Sequence, residues 1–398
     1  MHSGRGPRPE RDSGQDRRFG IVPQVAGPDL TNVRKSHHTG QVEWADVGER
    51  VRESRLAAGM SQAGLASAVG LERTKIAKIE SGGRQIDALE LAKLAAALKV
   101  PMGHFLREQP AVLSRRTSLA EDTDSALSRD SYRLEAKLMA WLDDLRQVIA
   151  LGLLKPGKAA VYERAVTDSQ GAREAALWLR SRHGLGQEPI RTLMAECERA
   201  GQYVLVSDLP GDGASLMEGD FGVSVVSRLA DPGRRRATAA HELGHLVLGD
   251  EYSTDLGVSS SREERERVID AFAAEFLLPS GVLEQVAKSD LRGELIKLSA
   301  VFRTSWSLTV RQAGHVGLLD GDRMTKWFSD APTRAELRDA VGWVPQPDLE
   351  GVRVPPSYAH AVMEALKQHF VTPARAVELM HGEVEIEDLP EVEAGNGS

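Results

Sequence analysis

The chain is almost without cysteine. Cys197 stands alone in 398 residues, which excludes an intrachain disulfide and any CxxC pair and makes a reducing compartment the expectation. With no histidine beside it, Cys197 reads as a small core residue. Long apolar runs are missing too. Hydrophobic residues make up 41% of the chain and mean hydropathy is -0.30, yet no uninterrupted stretch approaches the length of a membrane span. The arginines near the N-terminus have no apolar segment behind them, so no secretory leader and a cytoplasmic location are expected. Nor is there an excess of positive charge. The net charge is -8 and the pI near 5.8, so the whole-molecule field repels phosphate and any nucleic-acid contact must come from a local patch. Internal repeats are absent.

What is present divides the chain into segments. Its length exceeds one compact core and points to two or three domains. Residues 1–40 are rich in Gly, Pro, Arg and Ser without apolar period and read as a disordered basic tail. Residues 41–108 carry helical spacing throughout: Val47, Val51 and Leu56; Leu65, Ala66 and Val69; Ile76 and Ile79; Leu89, Leu91, Leu94, Ala95 and Leu98. Breaks at Gly59, Gly70, Gly82-Gly83 and Pro101 cut this into four or five short helices, a small all-α domain. Residues 109–169 begin with the polar, loop-like "SRRTSLAEDTDSALSRDS" and continue as an amphipathic helix. Residues 170–344 mix helices with two Val-rich strands, "YVLVSDL" and "FGVSVVSRL", the second a candidate edge for adding an extended peptide. Residues 345–398 hold a helix pair and an acidic tail, more suited to packing or self-association than to a site. The fold class expected is mainly α with a small β-sheet, α+β.

The stretch "TAAHELGHLVLGDEY" carries the most chemistry. Asp231-Pro232 is a good helix start and Gly249 a good stop. A helix between them puts His241 and His245 on one face, one turn apart, where two imidazoles can converge on one Zn2+. Glu242 then lies beside the open position, able to take a proton from water and pass it to a leaving amine. The other positions are small or apolar, so His, Glu and His are costly there unless they find partners. The bland alternative is an amphipathic helix with two half-buried histidines.

Two histidines are not a complete site. No third histidine follows at a spacing that would serve, so a carboxylate from the next helix is required. Glu266 and Asp270 are one turn apart there, and Asp270 can accept a hydrogen bond from a ligand imidazole. Glu275 falls about half a turn out of phase with Glu266. Glu266 ranks first as ligand, with Glu263 the nearest competitor and a solvated charged run the plain alternative. "RRRATAAHELGHLVLGD" followed by "ERVIDAFAAEFLLP" resembles the ImmA/IrrE family of zinc metallopeptidases over roughly residues 172–320. The resemblance implies a gluzincin-like fold, one zinc per chain on His241, His245 and Glu266, and Glu242 as catalytic base. Val268 and Ala237 depart from the family pattern at positions away from these ligands. Nothing in the spacing selects an oxyanion-stabilising residue among Tyr252, His315 and Tyr358.

The N-terminal helical segment has its own landmarks. "SQAGLA", a turn around Gly70, "ERTKIAKIESG", and then Leu91, Leu94-Ala95, Ala97-Leu98, Val100 and Pro101 resemble the helix-turn-helix domain of Xre and Cro/C1-type repressors. In such a motif the second helix enters the major groove. That orientation would bring Glu72, Arg73, Thr74, Lys75 and Lys78 to the DNA, with Ser61 and Gln62 opening the preceding helix and Arg84 reaching a phosphate. The plain alternative is the solvated face of a small bundle.

Together these features predict a nucleoid-associated, DNA-binding transcriptional regulator. Its partners would be double-stranded operator DNA, a second copy in a homodimer, and a protein substrate such as an Xre-type repressor or antitoxin, which the family resemblance implies would be cut with zinc. No membrane partner is expected. The competing reading is a non-enzymatic transcription factor whose second half is a sensor or dimerisation module.

Overall fold

The computed structural model describes residues 43–106, 114–115, 126–249, 259–343, 348–351 and 353–390. Its first elements are five short helices: α1 (Trp44–Ala57), α2 (Gln62–Val69), α3 (Arg73–Glu80), α4 (Ala88–Leu98) and α5 (Gly103–Leu106). Local chemistry sets their ends. The Ser61 hydroxyl accepts the Gly64 amide at the start of α2, and Asp87 does the same for Glu90 at the start of α4. Gly70 closes α2 at a φ of 72°, a left-handed conformation a side chain would strain. Val47, Val51, Leu65, Ile76, Ile79, Leu94 and Phe105 form the buried core of this bundle. Leu89, placed by its spacing among the apolar positions of α4, is instead 75% exposed.

A two-residue strand, β1 (Ser114–Arg115), precedes the long helix α6 (Ala126–Ala150), which begins inside the stretch expected to be loop. Next come α7 (Ser169–Arg182), α8 (Leu193–Arg199), β2 (Gln202–Ser207), β3 (Gly213–Glu218) and β4 (Phe221–Ser227). The histidine helix α9 (Pro232–Val247) and its neighbour α10 (Ser259–Leu277) follow, then α11 (Ser280–Leu283), α12 (Leu291–Phe302) and α13 (Trp306–His315). Two helices not foreseen from periodicity, α14 (Gly321–Phe328) and α15 (Arg334–Val341), lead to the closing pair α16 (Pro356–Lys367) and α17 (Pro373–Leu379). Helix dominates, with one small sheet, so the α+β class holds.

The sheet runs β1-β3-β4-β2, with β3 antiparallel to both β1 and β4 and β2 parallel to β4. This corrects the edge reading of "FGVSVVSRL". β4 is interior, paired on both sides, and cannot accept an added strand. β3 was missed because "GASLME" has neither β-branched residues nor a clean apolar alternation.

Helices cover both faces. Tyr203, Leu205, Leu216, Val223 and Val225 share a core with Leu138, Trp141, Leu142 and Leu145 of α6 and Tyr358 and Val362 of α16. The opposite face, through Val204 and Val226, joins a core with Leu179, Leu243, Val247, Phe272 and Phe276. Period-two alternation thus directs alternate β-residues to two different helical layers. The histidine helix lies in one of them, directly against the sheet.

Candidate functional site

α9 starts as its sequence demands. The Asp231 carboxylate accepts the Gly233 amide at 3.0 Å, and Pro232 occupies the first turn, where no amide is missed. Its three arginines anchor it by different routes. Arg234 forms a bidentate pair with Asp212 just ahead of β3, Arg235 donates to the Leu349 carbonyl, and the buried Arg236 guanidinium pairs with Asp348. Gly244 lets α10 approach closely: a Cβ there would lie 2.9 Å from Ile269 Cγ2 and 3.0 Å from Phe272 Cδ1.

That approach brings the polar groups of α9 and α10 together. His241, His245 and Glu266 offer one ligand atom each, all within 4.8 Å of one another. His241 Nε2 lies 3.1 Å from His245 Nε2 and 3.0 Å from Glu266 Oε2. On the far side of the ring, His241 Nδ1 meets Asp270 Oδ1 at 2.9 Å, which turns Nε2 toward the cluster. Burial pushes the Glu266 carboxyl up, but the His241 hydrogen bond and the charges of His241 and His245 outweigh it and hold the group below the ordinary carboxylate range. Glu263 lies at the surface, paired with Arg267.

Glu242 is fully buried, facing β3. Its Oε2 accepts from the Ser215 hydroxyl at 2.7 Å, while Oε1 has no hydrogen-bond partner. Gly213 makes room for it, since a Cβ at that position would come within 2.9 Å of Oε1. Neither residue was legible as part of the site, because the strand that carries them was not. The donor set of two imidazoles and one carboxylate, with a further buried carboxylate oxygen awaiting a partner, suits Zn2+ with an open position.

A further carboxylate of α10 has a different task. Glu275 is fully buried, takes Arg173 at 2.8 Å, and accepts from Gln312 and from the amide and hydroxyl of Ser280. Of the oxyanion candidates, Tyr358 is buried on the opposite face of the sheet, donating to the Leu379 carbonyl. His315 is exposed at the end of α13, and Tyr252 lies outside the described residues. Cys197 is buried, and burial pushes its thiol far up, which leaves it inert.

On the N-terminal bundle, Glu72, Arg73, Thr74, Lys75 and Lys78 are all exposed on or beside α3. Gln62 is drawn inward, its amide donating to Glu80, which also holds the buried Arg55. Ser61 serves as the cap of α2. Arg84 is bidentate to Glu90, at 2.9 and 2.8 Å, so its charge already has a partner.

Two protein families match separate parts of this chain. A family described as Helix-turn-helix matches residues 51–105, and one described as IrrE N-terminal-like domain matches residues 197–312. An uncharacterized transcriptional regulator in the ATPase CF(0) region of Rhodospirillum rubrum is 36% identical over 78 residues, which are 20% of this chain and 68% of that protein. An uncharacterized HTH-type transcriptional regulator, y4aM, of Sinorhizobium fredii (strain NBRC 101917 / NGR234) is 34% identical over 64 residues, or 16% of this chain and 45% of that protein. The crystal structure of Bacillus thuringiensis PlcR with the peptide PapR7 and DNA aligns over 84% of this chain and 91% of its own, at 11% identity and a TM-score of 0.17. That superposition is too poor to bear on this fold. Among the described residues, no helix is long and apolar enough to cross a membrane.

Proposed function

Since the chain belongs to the helix-turn-helix regulators and carries an IrrE N-terminal-like domain as well, we propose that it binds operator DNA through α3 and hydrolyses a protein substrate with zinc held in the second half. The single observation that carries the hydrolytic reading is the convergence of His241, His245 and Glu266 beside the buried Glu242. A purely structural metal site has no need of that fourth residue, nor of the serine that orients it.

In this reading the two histidines and Glu266 hold one Zn2+ per chain, and Asp270 sets the His241 tautomer. The ion, when bound, supplies the Lewis acidity that polarises a peptide carbonyl and lowers the pKa of water. Glu242 accepts the water proton on Oε1 while the Ser215 hydroxyl fixes Oε2, and the same carboxyl then delivers the proton to the departing amine. The substrate class is an Xre-type repressor or antitoxin. The functional division is residues 41–108 for DNA and residues 170–344 for hydrolysis, with the arm and tail at either end taking no part in the chemistry.

Arg73, Thr74, Lys75 and Lys78 are the residues proposed to meet DNA, with Glu72 available to a cytosine amine. Only a few cations stand on this face of a chain whose net charge is -8, so a homodimer on two half-sites is the form expected to bind tightly.

The test is metal content and proteolysis measured together on wild type, Glu242→Gln and Glu266→Gln. About one zinc per chain in wild type and Glu242→Gln, none in Glu266→Gln, and cleavage of an Xre-type repressor by wild type alone is the expected pattern. Wild-type protein that takes up no zinc on reconstitution overturns the hydrolytic reading and leaves a DNA-binding regulator with a borrowed fold.

A further inference from the structure

Three helices begin at one cavity of about 420 Å3. Pro232 and Gly233 bring the first turn of α9 to it, Ser305 and Trp306 that of α13, and Pro332 and Arg334 that of α15. The first two abut closely: a Cβ at Gly233 would lie 2.4 Å from the Ser305 backbone nitrogen. The opening amides of a helix have no intrahelical acceptor and carry the positive end of its dipole. Asp231, Ser305 and Thr333 each accept one such amide as caps, at Gly233, Leu308 and Glu336. A helix start presents more amides than one cap can take.

Arg236, Arg303 and Arg334 line the same cavity. Arg236 is only 1% exposed; it pairs with Asp348, and its Nε has no hydrogen-bond partner among the described residues. Its Nη2 donates to the Ile190 carbonyl at 3.2 Å, and Arg303 Nη2 donates to that same carbonyl at 3.0 Å. Two cations thus crowd on one neutral acceptor, with one carboxylate between them. Neither Arg303 nor Arg334 has a carboxylate partner among the described residues. Asp231, the other acid of the wall, is engaged as the α9 cap. Positive charge gathered at a partly enclosed site without matching counter-charge is costly, and an anion relieves it.

We infer that this cavity receives a small phosphate monoester, its phosphoryl oxygens meeting Arg303, Arg334 and the opening amides of α13 and α15, its carbon body lying against Trp306 and Leu337. One guanidinium fork satisfies a planar carboxylate. Here donors arrive from three helix starts and three arginines, an arrangement that a tetrahedral dianion fills. Trp306, Leu337 and Pro332 add an apolar wall on which a ring or short chain can rest. The site is separate from the histidine cluster. His241 stands eight residues beyond Gly233, about 12 Å along α9 at 1.5 Å per residue. A bound ester would tie the first turn of α9 to α13 and α15, at the opposite end of the helix from His245. The inference does not depend on the hydrolytic reading.

The experiment is a calorimetric titration of the full-length protein with phenyl phosphate, kept zinc-free so that no metal competes for the phosphate. A dissociation constant below about 1 mM is expected for wild type. Arg334→Ala should weaken binding about tenfold and Arg334→Lys by less, since lysine keeps the charge but not the fork. Arg334 is exposed, so the unfolding midpoint of both variants without ligand should match wild type. Benzoate, the same ring on a carboxylate, should bind at least about tenfold more weakly than phenyl phosphate. Saturating phenyl phosphate should also slow hydrogen exchange in a peptide covering residues 305–310, at the start of α13. Equal affinity of wild type and Arg334→Ala overturns the inference, because it puts the anion elsewhere, such as on the cations of α3. So does the absence of binding up to about 10 mM. Benzoate binding as tightly as phenyl phosphate overturns the assignment of a phosphate.

Discussion

Asp270 and Glu275 stand on one helix, carry the same charge and do different things. Asp270 steers His241, so Asp270→Ala should weaken zinc binding by about 10- to 100-fold while leaving the fold intact, as a competitive chelator titration would read. Glu275 is the buried partner of Arg173, and Glu275→Gln would leave that guanidinium without its counter-charge. A loss of about 3 kcal/mol in chemical denaturation is expected, with zinc stoichiometry unchanged in the folded protein. The phase of α10 already separated the two in the sequence. Why Glu275 is buried was not legible, because its partners Arg173 and Gln312 come from α7 and α13, far away in the chain. Ser215 was invisible for the same reason, and serines in weak strands carry no motif.

The helices α9 and α10 work as a pair whose separation is set at Gly244. Gly244→Ala should cost about 1–3 kcal/mol and, by moving Glu266 away from the histidines, weaken metal binding as well. Calorimetric unfolding with and without zinc would separate the two losses. For α3 the prediction concerns electrostatics. Lys75→Ala should lower the slope of log K against log salt by about 1 on operator DNA. Arg84→Ala should change it less, since Glu90 already takes that guanidinium. Equal slopes for the two variants in a filter-binding titration would return Arg84 to the phosphate role the sequence suggested. Helix ends and helix faces in both regions were readable because caps, glycines and apolar spacing act over one or two turns. "GASLME" was not, since pairing with β4 rather than intrinsic propensity makes it a strand.

The two halves meet through α6. One side of it covers the sheet, and near its start Tyr132 enters the helix-turn-helix core, its hydroxyl bonding His104 Nε2 at 2.6 Å and Ser54 at 2.8 Å. Burial, helped by the nearby Arg50 charge, pulls the His104 pKa from 6.5 down to about 4. The unfolded chain therefore binds more protons than the folded one between those values. The neutral ring contributes stability above about pH 6.5 that is lost as pH falls toward 4, about 2–3 kcal/mol by pH 4.5. His104→Gln should flatten the dependence of the unfolding midpoint on pH over that interval. A slope identical to wild type would mean the ring is not the group that titrates.

What the sequence determined alone is local: two histidines and a glutamate on one capped helix, a second helix with Glu266 and Asp270 in phase, and a bundle of four or five short helices with its polar face on the second helix of the helix-turn-helix motif. Each follows from the 3.6-residue period and from turn chemistry that acts within a few residues. Tertiary structure decided the rest. It made β4 an interior strand, set β3 against Glu242, paired residues 114–115 with β3, and drew α6 and α16 under the sheet to complete its second face. Those outcomes depend on pairings between segments tens to hundreds of residues apart. There the choice among compact arrangements rests on the summed burial of many side chains, which no short stretch of sequence contains.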